Sequence, residues 1–100
     1  MTIHVYGKTG CKLCKSAKKK VEVLLERWGV ADQHEVVLLD MEGDPGAAAE
    51  GDFFDVFDIP TVMVMKDEWE VLGRWDGQAP PSEELEALVA ADGEPASAAA

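Results

Sequence analysis

Between two runs of strand-forming residues, Thr2 to Tyr6 and Val36 to Leu39, this chain carries one long helical apolar stripe: Leu13, Ala17, Val21, Leu24, Leu25 and Trp28. Spacings of three and four residues put those side chains on one face, lysines fill the opposite face, and Gly29 follows as a C-terminal stop. Gly7 to Gly10 reads as the loop leaving the first strand. The second strand lies within His34 to Met41, and its four consecutive apolar residues suit a parallel strand covered on both faces. Strand, helix and parallel strand in succession imply a right-handed crossover.

The remaining elements follow from local signals. Asp44 with Pro45 behind it reads as an N-cap and first helical turn, and the alanines after it favour a short helix that Gly51 ends or interrupts. Phe53, Phe54, Val56 and Phe57 are expected to supply bulk for the core. Residues 61–65 read as a third strand and 68–75 as a fourth, joined by a tight turn near Lys66 and Asp67. Ser82, with Glu83 and Glu84 behind it, is expected to cap a last helix carrying Leu85, Leu88 and Val89. The expected architecture is α/β in the order β-α-β-α-β-β-α, a mixed four-stranded sheet with helices on both faces. A chain of 100 residues holds one core, burying roughly 60 to 70% of its unfolded surface. Residues 1–91 are therefore expected to form a single domain and 92–100 a disordered C-terminal tail.

Charge narrows the partners. A net charge of -11 disfavours nucleic acid, because neutralising phosphates needs a surplus of Lys and Arg. Seven of the nine basic residues lie between positions 8 and 27, while residues 40–58 carry seven acids and no base. A positive patch thus surrounds the start of the first helix, either as a solvated face or as an attraction for anions. Nothing approaches the roughly 20 apolar residues of a membrane span, and no charged segment leads into a long apolar run. The expectation is a cytoplasmic, monomeric protein without a membrane partner.

The only two cysteines, Cys11 and Cys14, sit where the first strand gives way to the helix. With Cys11 as N-cap, side chains three apart lie roughly 5 to 6 Å apart at Cβ, close enough for a disulfide to close with little backbone movement. Helix N-H groups and dipole favour a thiolate at Cys11, and Lys8 and Lys12 add positive charge. Such sites lower a thiol pKa to roughly 3.5 to 7.5, from about 8.5 when free. On this reading Cys11 attacks and Cys14 resolves the mixed disulfide. The spacing by itself also suits half of a zinc site, a metal-transfer loop, or two small buried residues. No metal site is expected, since His4 and His34 lie on strands without zinc-motif spacing.

Two motifs carry a resemblance over residues 2 to about 90. The segment Tyr6-Gly-Lys-Thr-Gly-Cys-Lys-Leu-Cys-Lys-Ser-Ala-Lys resembles the glutaredoxin active site at Lys8, Cys11, Cys14, Ala17 and Lys18. Phe54-Asp-Val-Phe-Asp-Ile-Pro-Thr-Val-Met-Val-Met-Lys is similar to the corresponding part of thioredoxin, through Ile59, Pro60 and Thr61. The chain thus resembles the thioredoxin-fold superfamily, in its glutaredoxin-like branch. That resemblance implies a thioredoxin fold, a cis Pro60 beside the cysteines, and an Ile59 backbone free to pair with a substrate strand. It implies a thiol-disulfide oxidoreductase reducing protein disulfides or mixed disulfides with glutathione. Lys8, Lys12, Leu13, Ile59, Pro60, Thr61 and Asp76 are then the expected substrate or glutathione contacts. No cofactor is expected to stay bound; glutathione is a co-substrate or donor, with a flavin-dependent reductase as the other candidate donor. Lys12-Leu13 replaces the family pairs between the cysteines, Val5 stands where thioredoxin has a buried acid, and Gly73-Arg74-Trp75-Asp76 keeps two residues of the glutaredoxin Gly-Gly-x-Asp. The alternative is a Cys-x-x-Cys metal-binding module, for Cu(I) transfer or for a glutathione-assisted iron-sulfur cluster.

Overall fold

A computed structural model describes residues 1–67 and 70–99, with residues 91–99 as backbone only. The elements are β1 (Thr2–Gly7), α1 (Lys12–Arg27), β2 (Glu35–Asp40), α2 (Pro45–Phe53), β3 (Thr61–Met65), β4 (Val71–Asp76) and α3 (Ser82–Ala99). They form one four-stranded sheet in the order β2-β1-β3-β4. β1 and β2 run parallel, as the crossover helix between them requires, while β3 is antiparallel to both β1 and β4. This is the α/β architecture expected from the sequence.

Period-two alternation divides the sheet between two cores. Ile3, Val5, Val62, Val64 and Trp75 face one side, where Ala17, Val21, Leu24 and Leu25 of α1 and Leu85 and Val89 of α3 cover them. Tyr6, Met63 and Met65 face the other, packed by Leu39, Met41, Phe54 and Val56 around α2. Each fully buried Leu or Val contributes roughly 1.5 to 3 kcal/mol. The sheet is thereby held against α1, and the end of β1 is fixed relative to the start of that helix. Trp75 adds a directional tie, its indole N-H donating to Glu84 of α3 at 3.1 Å.

Several expectations change. β2 is an edge strand, and Val36 to Leu39 are half-buried rather than covered on both faces. Asp44 does cap α2, accepting the Gly46 N-H at 2.9 Å, but the helix passes through Gly51. Gly51 is buried beside Met41, whose side chain would have to shift to admit a Cβ there. Phe53 and Phe57 are exposed at 64% and 86%, so only Phe54 and Val56 of that group reach the core. β4 starts at Val71, and its pairing with β3 slips by one residue at Leu72, a bulge. The turn is closed by Lys66 N-H to the Glu70 carbonyl at 2.9 Å and Glu70 N-H to the Asp67 carboxylate at 3.0 Å. The expected strand positions 68 and 69 lie outside the described residues.

In α3 the Leu85 N-H donates to the Pro81 carbonyl at 3.0 Å, so the helix opens one residue ahead of the expected Ser82 cap. Its backbone runs past position 92, where the sequence suggests a tail; Ala90, Ala91, Ala96, Ala98 and Ala99 are strong helix formers there. The side chains from 91 onward lie outside the described residues.

His4 shares the α2 face of β1 with Tyr6, their rings 5.9 Å apart and edge to face. Burial holds its imidazole below the ordinary 6.5, against the pull of Glu50 and Glu35. The folded state thus resists this proton more than the unfolded chain does. As pH falls below about 6.5 the unfolded state binds the proton first and stability drops, the loss levelling off below the folded pKa. Urea unfolding is expected to give a lower midpoint at about pH 5 than at about pH 7.5, and a smaller difference in His4→Gln. Equal differences in both proteins would remove His4 as the cause.

Candidate active site

The turn from β1 into α1 sets the chemistry. Gly10 takes φ +83, a left-handed conformation that glycine adopts without penalty, and so turns the chain into the helix. Cys11 is the N-cap, with φ -78 and ψ 109, and its Sγ accepts the Cys14 N-H at 3.1 Å. Its own N-H donates to the Lys8 carbonyl at 3.2 Å, and its carbonyl accepts the Lys15 N-H at 3.2 Å. A disulfide joins Cys11 to Cys14, with the Cα atoms 5.3 Å apart. Cys14 is fully buried whereas Cys11 is half-buried, so the first residue of the pair is the more accessible. No acidic residue stands in the first turn of α1. The helix N-terminus therefore acts on Cys11 without an opposing first-turn carboxylate.

Register places the downstream motif at the same end of the sheet. Tyr6 pairs with Thr61, and Thr61 with Asp76, so Gly7, Pro60 and the end of β4 lie side by side. The Ile59-Pro60 bond is cis. Pro60 and Thr61 are buried and Ile59 half-buried, with the Thr61 hydroxyl donating to the Asp58 carbonyl at 2.5 Å. Between the cysteines, Lys12 and Leu13 are exposed, Leu13 at 68%, and Lys8 is exposed ahead of them. Lys18 instead pairs with Glu22 at 2.9 Å along the helix.

Asp76 stands at this end of the sheet, engaged by Arg74: Nε donates to it at 2.7 Å and Nη2 at 3.3 Å. The same guanidinium donates to the carbonyls of Phe54 at 2.5 Å and Asp55 at 3.0 Å. Arg74 so pins the end of α2, where Asp55 takes φ +54, and fixes the start of the loop that leads to Pro60.

The sequence gives no hint of this Arg74 clamp, because it depends on which carbonyls the fold brings to the far side of β4. Gly7 is a second residue whose role emerges only in three dimensions. A Cβ there would lie 2.6 Å from Cys14 Sγ and 2.7 Å from Cys14 Cβ.

A cavity of about 590 Å³ lies elsewhere, at the opposite end of β1, lined by Thr2, His4, Glu50, Phe54 and neighbours. Among the described residues, no group of three or more His, Cys, Asp and Glu side chains is placed to hold a metal ion. No helix among them is long and apolar enough to cross a membrane.

No protein-family model matches the sequence, nor does any curated protein. Solved structures do match. Thioredoxin 1 from the thermophilic eubacterium Thermosipho africanus superposes with a TM-score of 0.67 at 18% identity, covering 97% of this chain and 99% of that one. Thioredoxin from Fasciola hepatica gives 0.62 at 23% identity, over 88% and 77% of the two chains. The oxidized form of mitochondrial thioredoxin 3 from Saccharomyces cerevisiae gives 0.60 at 21% identity, over 86% and 73%. With its strand order, its crossover helix and these neighbours, this chain is a thioredoxin-fold protein whose Cys-x-x-Cys disulfide opens the first helix.

Proposed function

We propose that the protein is a thiol-disulfide oxidoreductase that reduces disulfides in other proteins or mixed disulfides with glutathione. The observation that carries this reading is the asymmetry of the pair: a half-buried Cys11 at a helix N-terminus, bonded to a fully buried Cys14. In the reduced protein the Cys11 thiolate attacks one sulfur of the substrate disulfide, forming a mixed disulfide and expelling the other sulfur as a thiolate. Cys14, deprotonated, then attacks Cys11 Sγ, closing Cys11-Cys14 and releasing the second substrate sulfur. Two electrons pass from the dithiol to the substrate, whose two thiolates take up the protons that the cysteines give up. The exposed lysines 8, 12 and 15 favour anionic partners, whether the carboxylates of glutathione or an acidic protein surface. Ile59, Pro60 and Thr61 dock the substrate chain beside the disulfide.

The donor that regenerates the dithiol is glutathione or a flavin-dependent reductase. The Arg74 pairing occupies the Asp76 carboxylate on one side, so a glutathione ammonium would share it with the guanidinium. That crowding favours the reductase. Turnover on a protein disulfide is expected to be faster with thioredoxin reductase and NADPH than with glutathione, its reductase and NADPH. Failure with both donors would remove the proposed function.

A further inference from the structure

The loop between β1 and α1 is tethered by a residue from another strand. Asp40 is the last residue of β2 and pairs with Gly7, the last residue of β1. Its Oδ1 accepts the N-H groups of Glu42 and Gly43, each at 3.0 Å, and the Thr9 N-H at 3.3 Å. Its Oδ2 accepts the Thr9 hydroxyl. Among the described residues, both hydrogen bonds that tie Lys8 to Gly10 to another element end on this carboxylate. The carboxylate is itself fixed: the Met41 N-H donates to the Gly7 carbonyl at 2.9 Å and the Asp44 N-H to the Asp40 carbonyl at 2.9 Å. Gly43 leaves the room it needs, since a Cβ there would come 2.6 Å from Oδ2. The Thr9 hydroxyl foremost, then the Gly43 N-H, hold the Asp40 carboxyl below its ordinary pKa, so it stays an acceptor throughout the neutral range.

We propose that Asp40 is a positioning residue for the attacking cysteine: through Thr9 it anchors the loop that sets Cys11 on the helix N-terminus, where its thiolate is stabilised. The N-cap geometry of Cys11 is local to a loop of three exposed residues, Lys8, Thr9 and Gly10, and such a loop samples many conformations unless something outside it holds it. Asp40 is that outside hold. The stabilisation of a thiolate by a helix end fades within a turn, so displacing Cys11 weakens it. The proposal rests on the reading of Cys11 as the nucleophile, but its test does not use turnover.

The test is the pH profile of iodoacetamide alkylation of Cys11 in a Cys14→Ser background, with and without Thr9→Val, Thr9→Ser or Gly43→Ala. Lys8 and Lys12 flank Cys11 in the chain, Asp40 lies across the loop, and Thr9→Val leaves all three charges in place. Asp40→Asn is the poorer probe, because removing a negative charge lowers a nearby thiol pKa while loosening the tether raises it. Thr9→Val is expected to move the profile to higher pH and to slow alkylation near pH 7 about two- to five-fold, the scale of a charge interaction at a helix end. Thr9→Ser, which keeps the hydroxyl, is expected to follow the parent, and Gly43→Ala to follow Thr9→Val. A Thr9→Val protein with the parent profile, whatever its melting temperature, would overturn the proposal. Thr9 is exposed, so that variant is expected to fold even if Gly43→Ala does not. Absence of turnover in the wild-type chain would remove the proposed enzyme function and leave this comparison to be judged separately.

Discussion

Cys11→Ser is expected to abolish disulfide reduction, by a factor on the order of 10³ or more, while Cys14→Ser stops the cycle one step later with substrate still attached. The difference follows from geometry. Cys11 is the half-buried sulfur at the helix N-terminus, where the helix end favours the thiolate form, and Cys14 lies in the first turn with no exposed surface. Removing Cys11 leaves no accessible thiol, so no bond to substrate forms. Removing Cys14 leaves the attack intact, and the mixed disulfide then waits for an external thiol to release it. A steady-state assay on a protein disulfide, with a burst measured at stoichiometric enzyme, separates the two. Cys14→Ser is expected to give one equivalent of released thiol and then near silence. A Cys11→Ser protein that turned over at the wild-type rate would reverse the assignment of nucleophile.

Gly7→Ala is expected to destabilise the protein by about 1 to 3 kcal/mol, the usual range for overpacking a close-packed site. The added methyl would sit 2.6 Å from Cys14 Sγ and 2.7 Å from its Cβ, with Leu38 3.7 Å away on another side. The clash is not easily relieved, because Cys14 is buried in the first turn of α1 and Gly7 is held in register beside Asp40. Relief requires α1 to shift off the end of β1, which carries Cys11 and Cys14 with it. Thermal unfolding is expected to show a midpoint lower by roughly 4 to 8 °C per kcal/mol at this chain length. Lys8→Ala, one residue on and exposed, is expected to stay within about 0.5 kcal/mol of wild type. A Gly7→Ala protein as stable as Lys8→Ala would mean that the contact with Cys14 carries no constraint.

The sequence reveals the elements more readily than their placement. The stripe from Leu13 to Trp28 and the strand signals around it make the β-α-β unit legible, because periodicity reports directly which face of an element is buried. Cys11 as N-cap is legible for the same reason: the start of the stripe locates the helix. Phe53 and Phe57 mislead, since an apolar residue at the last position of a short helix or in the loop after it has too little periodicity around it to say which way it faces, and here both are exposed. The edge position of β2 is hidden as well, because strand order depends on pairings between segments far apart in the chain.

The supporting residues of the site are the least legible part. Asp40 reads only as an acid at the end of an apolar run, and Arg74 as a charge between Gly73 and Trp75. Their roles arise from what the register sets beside them: Thr9 in one case, the carbonyls of Phe54 and Asp55 in the other. Gly7 could have drawn attention only as a glycine preceding a Cys-x-x-Cys by four. Nothing in that spacing says that Cys14 lies against it.

The Cys11 thiol is expected to form the covalent bond to substrate. The measurement is the intact mass of Cys14→Ser after mixing with a disulfide-bearing protein. The expected result is a single reducible adduct of one enzyme and one substrate chain, linked through Cys11 and absent when Cys11→Ser replaces Cys14→Ser. An adduct formed through Cys14 in Cys11→Ser, or none in Cys14→Ser while the wild type still reduces the same substrate, would contradict it.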